Sequence, residues 1–483
     1  MDTGQTITLT RSTLGRAYRA QLARDAVPAA QLAAEAVASD LLAVGYHRRL
    51  LPVPVFLSAA ERTALATDLA TIHRLLTSLP ERLFGADAGA LARGVGMNPV
   101  QQETVRRGSA GPRLVRLARS DLYREREGFK LLELNITSAL GGFENAEINR
   151  AMLRHPSLAR FVERHGLEYV DTLETIVSAL RAECAEHLGA DRPTVALADW
   201  PESYRTYEPR LRVLAALLDG MGIDAVPCHV GHLSERNGRL EVHGRPVDAV
   251  FRFFLVEEIV APRDAELLEP VLRAVEAGTV GMFSRLDAEL YGNKGALALL
   301  SDERNRDLFD AAERACIDRF LPWTRHVRPT VCEPDGSVCD LESFAKARQH
   351  DLILKPTLLH GGCGIVAGWT VPPGEWLARV AEAVDGPYVL QRRIRPLAET
   401  FPGDEVGTER TMYLNWGVFV GDPQVTGSDG YGGCIVRASA DPQVGVISMS
   451  SGAQVGCVFN EPRPSAAAAS PDLGSPAERE SQP

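Results

Sequence analysis

A mixed α/β (α+β) fold with a helical N-terminal region is predicted by three patterns in this 483-residue chain. Apolar residues recur three and four apart from Ser12 to about Arg93, a strand–helix–strand order runs from 194 to 230, and the closing stretch 411–459 is β-rich and dense in glycine. The length exceeds one ordinary core, so about two to four domains or subdomains are expected.

The helical pattern of the first hundred residues is broken at Leu51-Pro-Val-Pro-Val, where proline ends any helix. Residues 113–137 switch to alternating strand character around a charged turn, Arg124-Glu-Arg-Glu-Gly128, which reads as a hairpin. Helices follow over 146–188. The apolar run Thr194-Val-Ala-Leu-Ala-Asp199, a helix over 205–221 and a second strand over 223–230 form a small parallel unit. No Gly-x-Gly-x-x-Gly follows its first strand, which excludes a dinucleotide fingerprint. Residues 238–252 read as a hairpin leading into a buried strand, with Arg252 at its end placed either to face a ligand or to close an ion pair. From about 276 helices and strands alternate into the final β-rich stretch, and the tail 461–483 has no apolar period and is expected to be disordered. The organisation is accordingly 1–112 helical, 113–190 hairpin and helices, 191–275 a small α/β substrate lobe, 276–460 further alternating lobes, and the tail.

Composition narrows the function. A net charge of −11 argues against nucleic acid as a partner, because phosphate backbones need a concentrated basic face. The start, Met1-Asp-Thr-Gly-Gln-Thr, is not a signal peptide, and no run reaches the ~18 apolar residues of a membrane span, so a soluble cytoplasmic protein without a membrane partner is expected. Self-association into a homo-oligomer is left open. Eight cysteines show no zinc spacing, and reduced, mostly buried thiols are the expectation; Cys363 reads as a small residue in a crowded glycine turn rather than a nucleophile.

Only four of the 52 basic residues are lysines: Lys130, Lys294, Lys346 and Lys355. Ammonium is a compact point charge that enters tight phosphate pockets where the guanidinium fork does not, so a surviving lysine is a chemical candidate. Lys294, in Tyr291-Gly-Asn-Lys294, opens an apolar helix. Lys355 ends the run Leu352-Ile-Leu-Lys355 before His360-Gly361-Gly362-Cys363-Gly364, whose glycines let backbone amides approach phosphate oxygens. No Gly-Lys dipeptide exists, which excludes a Walker A loop. Gln391 follows an apolar run as a hinge beside a base would.

The hairpin carries the strongest chemical signal. Its period of two puts Arg119 with Asp121 on one face and Glu133 with Asn135 on one face. With the turn centred near Glu127, Asp121 falls opposite Glu133 and Arg119 opposite Asn135, while Leu132, Leu134 and Ile136 turn toward the core. Like charges across a ladder repel. A divalent cation would reverse that cost, and two carboxylates with an amide oxygen are hard ligands suited to magnesium. The ordinary alternative is a solvated polar face.

Together the Arg119-x-Asp121 and Glu133-x-Asn135 pairs, Asn293-Lys294, Lys355 with its glycine turn, Gln391, and the closing Leu414-Asn-Trp-Gly-Val-Phe-Val and Gly433-Cys-Ile-Val-Arg437 resemble the ATP-grasp superfamily. Their order resembles its circularly permuted branch, the glutathionylspermidine synthetase-like carboxylate-amine ligases, since the acidic hairpin precedes the phosphate lysines. The resemblance runs over about 113–459. It implies Asp121, Glu133 and Asn135 as magnesium ligands, Lys294 and Lys355 as ATP-phosphate contacts, Gly361, Gly362 and Gly364 as the loop over the phosphates, and Gln391 near adenine. Arg392-Arg393 departs from the acid such hinges often carry. The implied activity is ATP-dependent amide formation through an acyl phosphate, with ADP released. Arg119 is the catalytic candidate for steadying the transferred phosphoryl group, with an ion pair inside the hairpin as its alternative, and Arg252 is the candidate for holding a substrate carboxylate. The partners are then a small-molecule or peptide carboxylate and an amine, and the length has no room for the amidase domain of bifunctional members, which weakens a polyamine assignment. A phosphotransferase and a nucleotide-binding interaction protein without turnover would use the same residues.

Overall fold

The computed structural model describes residues 13–109, 117–189, 191–333, 335–427 and 429–463. The expectations for the chain start, for the first residues of the 113–137 hairpin and for most of the tail lie outside the described residues.

Short helices occupy most of the first hundred residues. The longest among them, Ala59–Thr77, begins at a reciprocal cap in which Ser58 Oγ accepts from Glu61 N and Glu61 Oε2 accepts from Ser58 N, and it buries Leu65, Leu69, Ile72 and Leu76 on one stripe. The proline break at 51–55 does more than separate helices. Val55–Leu57 is a strand, paired in parallel with Gln454–Asn460 near the far end of the described chain. Three residues are too few to display a period of two, which is why this strand is invisible in the sequence.

A seven-stranded sheet holds the hairpin. In order across it lie Val55–Leu57, Gln454–Asn460, Tyr431–Ser439, Glu409–Gly421, Leu117–Glu125 and Gly128–Asn135, with Ala398–Pro402 also paired to Glu409–Gly421. The sequence segments at either end of the chain thus share one sheet with the hairpin. The expected register is present: Asp121 pairs with Glu133 and Arg119 with Asn135. It is reached through a bulge, because the tight turn pairs Glu125 with Gly128 and Leu122 with Leu131. Leu132 is the extra residue, and in an unbulged ladder it would stand opposite Asp121. The expectation for Leu132 is therefore corrected. Leu131, Leu134 and Ile136 enter the core, while the bulge leaves Leu132 half-buried on a pocket beside Asp121 and Glu133.

The 194–230 unit forms as expected, with Thr194–Asp199 and Asp224–His229 parallel and the helix Pro201–Asp219 between them. Ala249–Arg252 pairs in parallel on the other side of Thr194–Asp199, and Gly281–Phe283 beyond it. Arg252 takes the ion-pair alternative. It is fully buried, donates to the carbonyls of Ser284 (2.9 Å) and Phe254 (2.8 Å) and to Ser284 Oγ (3.2 Å), and forms an ion pair with Glu289. Its donors are committed to the protein. A third sheet, antiparallel, orders Thr324–His326, Tyr388–Arg392, Leu352–Pro356 and Val366–Ala367 and carries Lys355 and Gln391. No helix among the described residues is long and apolar enough to cross a membrane.

Replacing Arg252 by Met leaves the buried Glu289 carboxylate without its cation, so we expect a loss of about 3–5 kcal/mol in unfolding free energy. A shift of the urea midpoint measures it, and an unchanged midpoint would return Arg252 to the list of ligand-binding groups.

Candidate functional site

Alternation on the hairpin and its neighbour builds one chemical face. Asp121 lies between Glu133 on one side and Gly417 of the strand Glu409–Gly421 on the other, and a Cβ at Gly417 would come within 3.3 Å of Arg119 Cδ. The same Cβ would meet Ile435 Cγ2 at 2.8 Å, and beside this bare position Arg119 donates from Nε to Asp121 (3.1 Å) and from Nη1 to the Gly141 carbonyl (3.1 Å). The ion-pair alternative for Arg119 is thus realised, on the same face as the carboxylates.

Four cations converge on the two acids. Arg437 Nη2 donates to Asp121 at 2.7 Å alongside Arg119. Lys294 Nζ lies 3.4 Å from Glu133 and donates to the Leu359 carbonyl at 2.8 Å. Lys355 Nζ donates to Gln391 Oε1 (2.7 Å) and to the Leu132 carbonyl (3.2 Å). Burial pushes the Glu133 carboxyl up, but Lys294, Lys355, His360 and Arg119 hold it well below the usual range; burial pushes the Lys355 ammonium down to about 8, against the attraction of Glu133. The repulsion anticipated between the paired carboxylates is therefore relieved by the protein's own cations. Two surplus positive charges remain, a field suited to a polyanion such as a triphosphate.

The oxygen set fits a hard cation. Asp121 and Glu133 face each other, Asn135 commits its amide nitrogen to the Arg119 carbonyl (3.2 Å) and keeps its oxygen, and Asn415 Oδ1 is buried with no hydrogen-bond partner in the same pocket. Among the described residues no group of three or more His, Cys, Asp or Glu is arranged to hold a metal.

Two cavities meet at this face. The smaller, about 50 Å³, is lined by Asp121, Glu133, Leu132, Lys355, Gln391 and Ile353 among others. The larger, about 550 Å³, lies on the other side, lined by Gly141, Asp199, Arg210, Glu258, Arg437 and the loop residues His360, Gly361 and Cys363. Gly361, Gly362 and Gly364 all have positive φ, between 66° and 85°, which favours glycine there. Their loop is tied across the large cavity by His360 Nδ1, 2.7 Å from Glu257 Oε2. Cys363 is exposed on this loop rather than crowded; the other cysteines are buried or half-buried and none is in a disulfide.

The structure thus gathers Arg119, Asp121, Glu133, Asn135, Lys294, Lys355 and Gln391, sets the glycine loop at their edge, and leaves Arg252 in the core. Sequence reasoning missed Asn415, Arg437, Asp199, Glu258 and Arg210. Asn415 and Arg437 had a signal, because both lie in the closing segments Leu414-Asn-Trp-Gly-Val-Phe-Val and Gly433-Cys-Ile-Val-Arg437 that carry the resemblance, and the structure pairs them across adjacent strands. Asp199 and Glu258 had none beyond their places at strand ends. Of the other two lysines, Lys346 is exposed and Lys130 bonds the Arg319 carbonyl.

No protein-family model and no curated protein matches the sequence. Among solved structures, a glutathione synthetase-like effector from Globodera pallida in its apo form superposes with a TM-score of 0.50, covering 85% of this chain and 90% of its own at 14% identity. A provisionally assigned gamma-glutamylcysteine synthetase from Methylobacillus flagellatus KT covers 84% of this chain and 89% of its own at 12% identity, with a TM-score of 0.41. The first likeness shows that this chain and that effector share a fold.

Burial pushes the Glu258 carboxyl up to about 7 and that of Asp199 up to about 6. A raised carboxyl binds a proton in the folded state after the unfolded chain has lost it, so stability falls as pH rises from about 4 to about 7. Glu258→Gln removes that loss: thermal melts are expected to show a gain of roughly 1–3 kcal/mol at pH 8 that disappears near pH 4. A pH-independent difference would mean that ionisation of Glu258 is not what costs stability.

Proposed function

We propose that this chain is an ATP-dependent carboxylate-amine ligase of the circularly permuted ATP-grasp type, forming an amide through an acyl phosphate and releasing ADP and phosphate. The observation that carries the reading is the Arg437–Asp121 contact of 2.7 Å, which joins a phosphate-suited pocket to a separate cavity large enough for substrates. The fold shared with the glutathione synthetase-like effector supports it.

In this reading Lys294, Lys355 and the backbone amides of the glycine loop bind the phosphates, and Gln391 fixes Lys355 while lining the base side. Asp121, Glu133, Asn135 and the Asn415 oxygen would hold magnesium, which when bound supplies neutralising charge to the phosphoryl oxygens. The substrate carboxylate, in the larger cavity, attacks the γ-phosphorus as the bond to ADP breaks, giving an acyl phosphate; the amine nitrogen then attacks the acyl carbon, phosphate leaves and the nitrogen loses its proton. Arg119 and Arg437 stand between the two cavities, where charge develops in both steps. An arginine in that position contributes about 10³–10⁵ in phosphoryl transfer generally. No protein nucleophile takes part. The substrates are small molecules or peptides.

Asp121→Ala and Glu133→Ala are expected to lower magnesium-dependent ATP turnover by roughly 100-fold or more, as loss of a preorganised charge-stabilising group does. The assay combines ATP, magnesium, pooled carboxylic acids and hydroxylamine: ADP with hydroxamate supports the ligase, ADP with a stable phosphorylated product would make the chain a phosphotransferase, and AMP would overturn the acyl-phosphate route.

A further inference from the structure

The larger cavity opens where the parallel sheet changes direction. The strand Thr194–Asp199 has Asp224–His229 on one side and Ala249–Arg252 on the other, and the crevice between diverging connections at the carboxyl ends of such strands is where open α/β sheets take ligands. Asp199 is the last residue of the first strand, and Phe253, Leu255 and Glu258 follow the neighbouring one; all line the cavity. Asp199 is 4% exposed. Its Oδ1 accepts from the Trp200 amide (2.8 Å), and no cation of the protein pairs with the carboxylate among the described residues. Glu258 accepts from Ser203 Oγ (2.7 Å) and the Leu255 amide (2.8 Å) and likewise has no cation. A buried acid, Asp199, and a half-buried one, Glu258, close enough to repel each other and without a counter-charge, are costly unless something else supplies one.

About two turns along the helix Pro201–Asp219 from Ser203, which bonds Glu258, the cavity wall has the reverse polarity. Arg210, held by Glu144 at 2.7 Å and stacked 5.0 Å from the Phe143 ring, points its guanidinium at Gly141. A Cβ on Gly141 would lie 3.6 Å from both Arg210 Nη2 and Arg119 Nη1, so two guanidiniums frame a position bare of side chain. Arg437 joins them on the cavity wall, and its Nε and that of Arg210 are buried without a hydrogen-bond partner. Leu140, Phe253, Leu255 and Met449 supply apolar wall. A volume of about 550 Å³ is typical of small-ligand pockets, which run to roughly 300–1,000 Å³.

We infer that this cavity takes a zwitterion, an amino acid or short peptide with a free amino group, whose carboxylate lies at Arg210 and Arg437 beside the hairpin and whose ammonium lies at Asp199 and Glu258. The assignment deepens the ligase reading and rests on it only for the fate of the carboxylate. Guanidinium forks match a carboxylate bidentately, and a desolvated carboxylate pair matches an ammonium. The carboxylate end is the one next to the phosphoryl-transfer face, so the amino end remains unmodified in the product.

The test is calorimetric titration of the full chain with free amino acids and dipeptides, each compared with its N-acetyl and its C-amide derivative, and the same set assayed with ATP, magnesium and hydroxylamine. At least one free form is expected to bind, with both acetylation and amidation weakening it 10-fold or more. In Asp199→Asn and Glu258→Gln, near-isosteric changes whose folding is verified by melting, the free form weakens and the penalty for acetylation disappears. Acetylated forms binding as well as free ones, or no member of the set binding, would overturn the inference. The expected binding pattern without ADP or hydroxamate would support the cavity assignment and remove the ligase reading.

Discussion

Everything in this site depends on placing two carboxylates across from each other on a buried hairpin. Asp121 and Glu133 could not share a ladder position in a low-dielectric interior without counter-charge. The counter-charge comes from far along the chain: Arg437 from a strand 316 residues later, Lys294 from a helix N-terminus, and Lys355 from a different sheet. Bringing these cations to one hairpin therefore requires three layers of structure to meet there. It also explains why the net-acidic chain has a locally cationic centre. The surplus of positive charge is a local arrangement that a whole-chain count of −11 conceals.

The reading of this region from sequence succeeded where period and polarity coincide. Alternation put Arg119, Asp121, Glu133 and Asn135 on one face, and scarcity singled out two lysines that the structure brings to that face. The register was reached for an incomplete reason. The turn is one position tighter than the pairing of Asp121 with Glu133 implies, and the bulge at Leu132 makes up the difference, a compensation that no local pattern announces. Arg252 shows the opposite failure. A lone arginine after an apolar run looks the same whether it ends in a cavity or among carbonyls, and only the position of Glu289, 37 residues away, decides it. The strand Val55–Leu57 was hidden by its shortness, and Asp199 and Glu258 by the ordinariness of an acid at a strand end.

The two cavities differ in how their charge is settled. On the hairpin side, the carboxylates are paired within the protein, Asp121 with Arg119 and Arg437 and Glu133 with Lys294. In the larger cavity Asp199 and Glu258 have only neutral donors, and burial raises their proton affinity. Stability is given up at that end of the cavity, as is common where a protein must meet a ligand. The His360–Glu257 contact lies between these regimes, joining the glycine loop of one lobe to the segment that carries Glu258 in another.

The strand Gln454–Asn460 lies between Val55–Leu57 and Tyr431–Ser439, and the backbones of Arg49 and Leu51 already bond to Val455. An early strand therefore waits for a partner made some 400 residues later, counting from Val55 to Val458. During synthesis the N-terminal helices emerge with a sheet edge uncovered, and the hairpin's own neighbour, Glu409–Gly421, also arrives late. Contacts this distant in sequence slow folding, and an unpaired edge invites association with other chains. The late strands lie between the early ones, so the sheet that carries the chemical centre is complete only when segments some 400 residues apart have met.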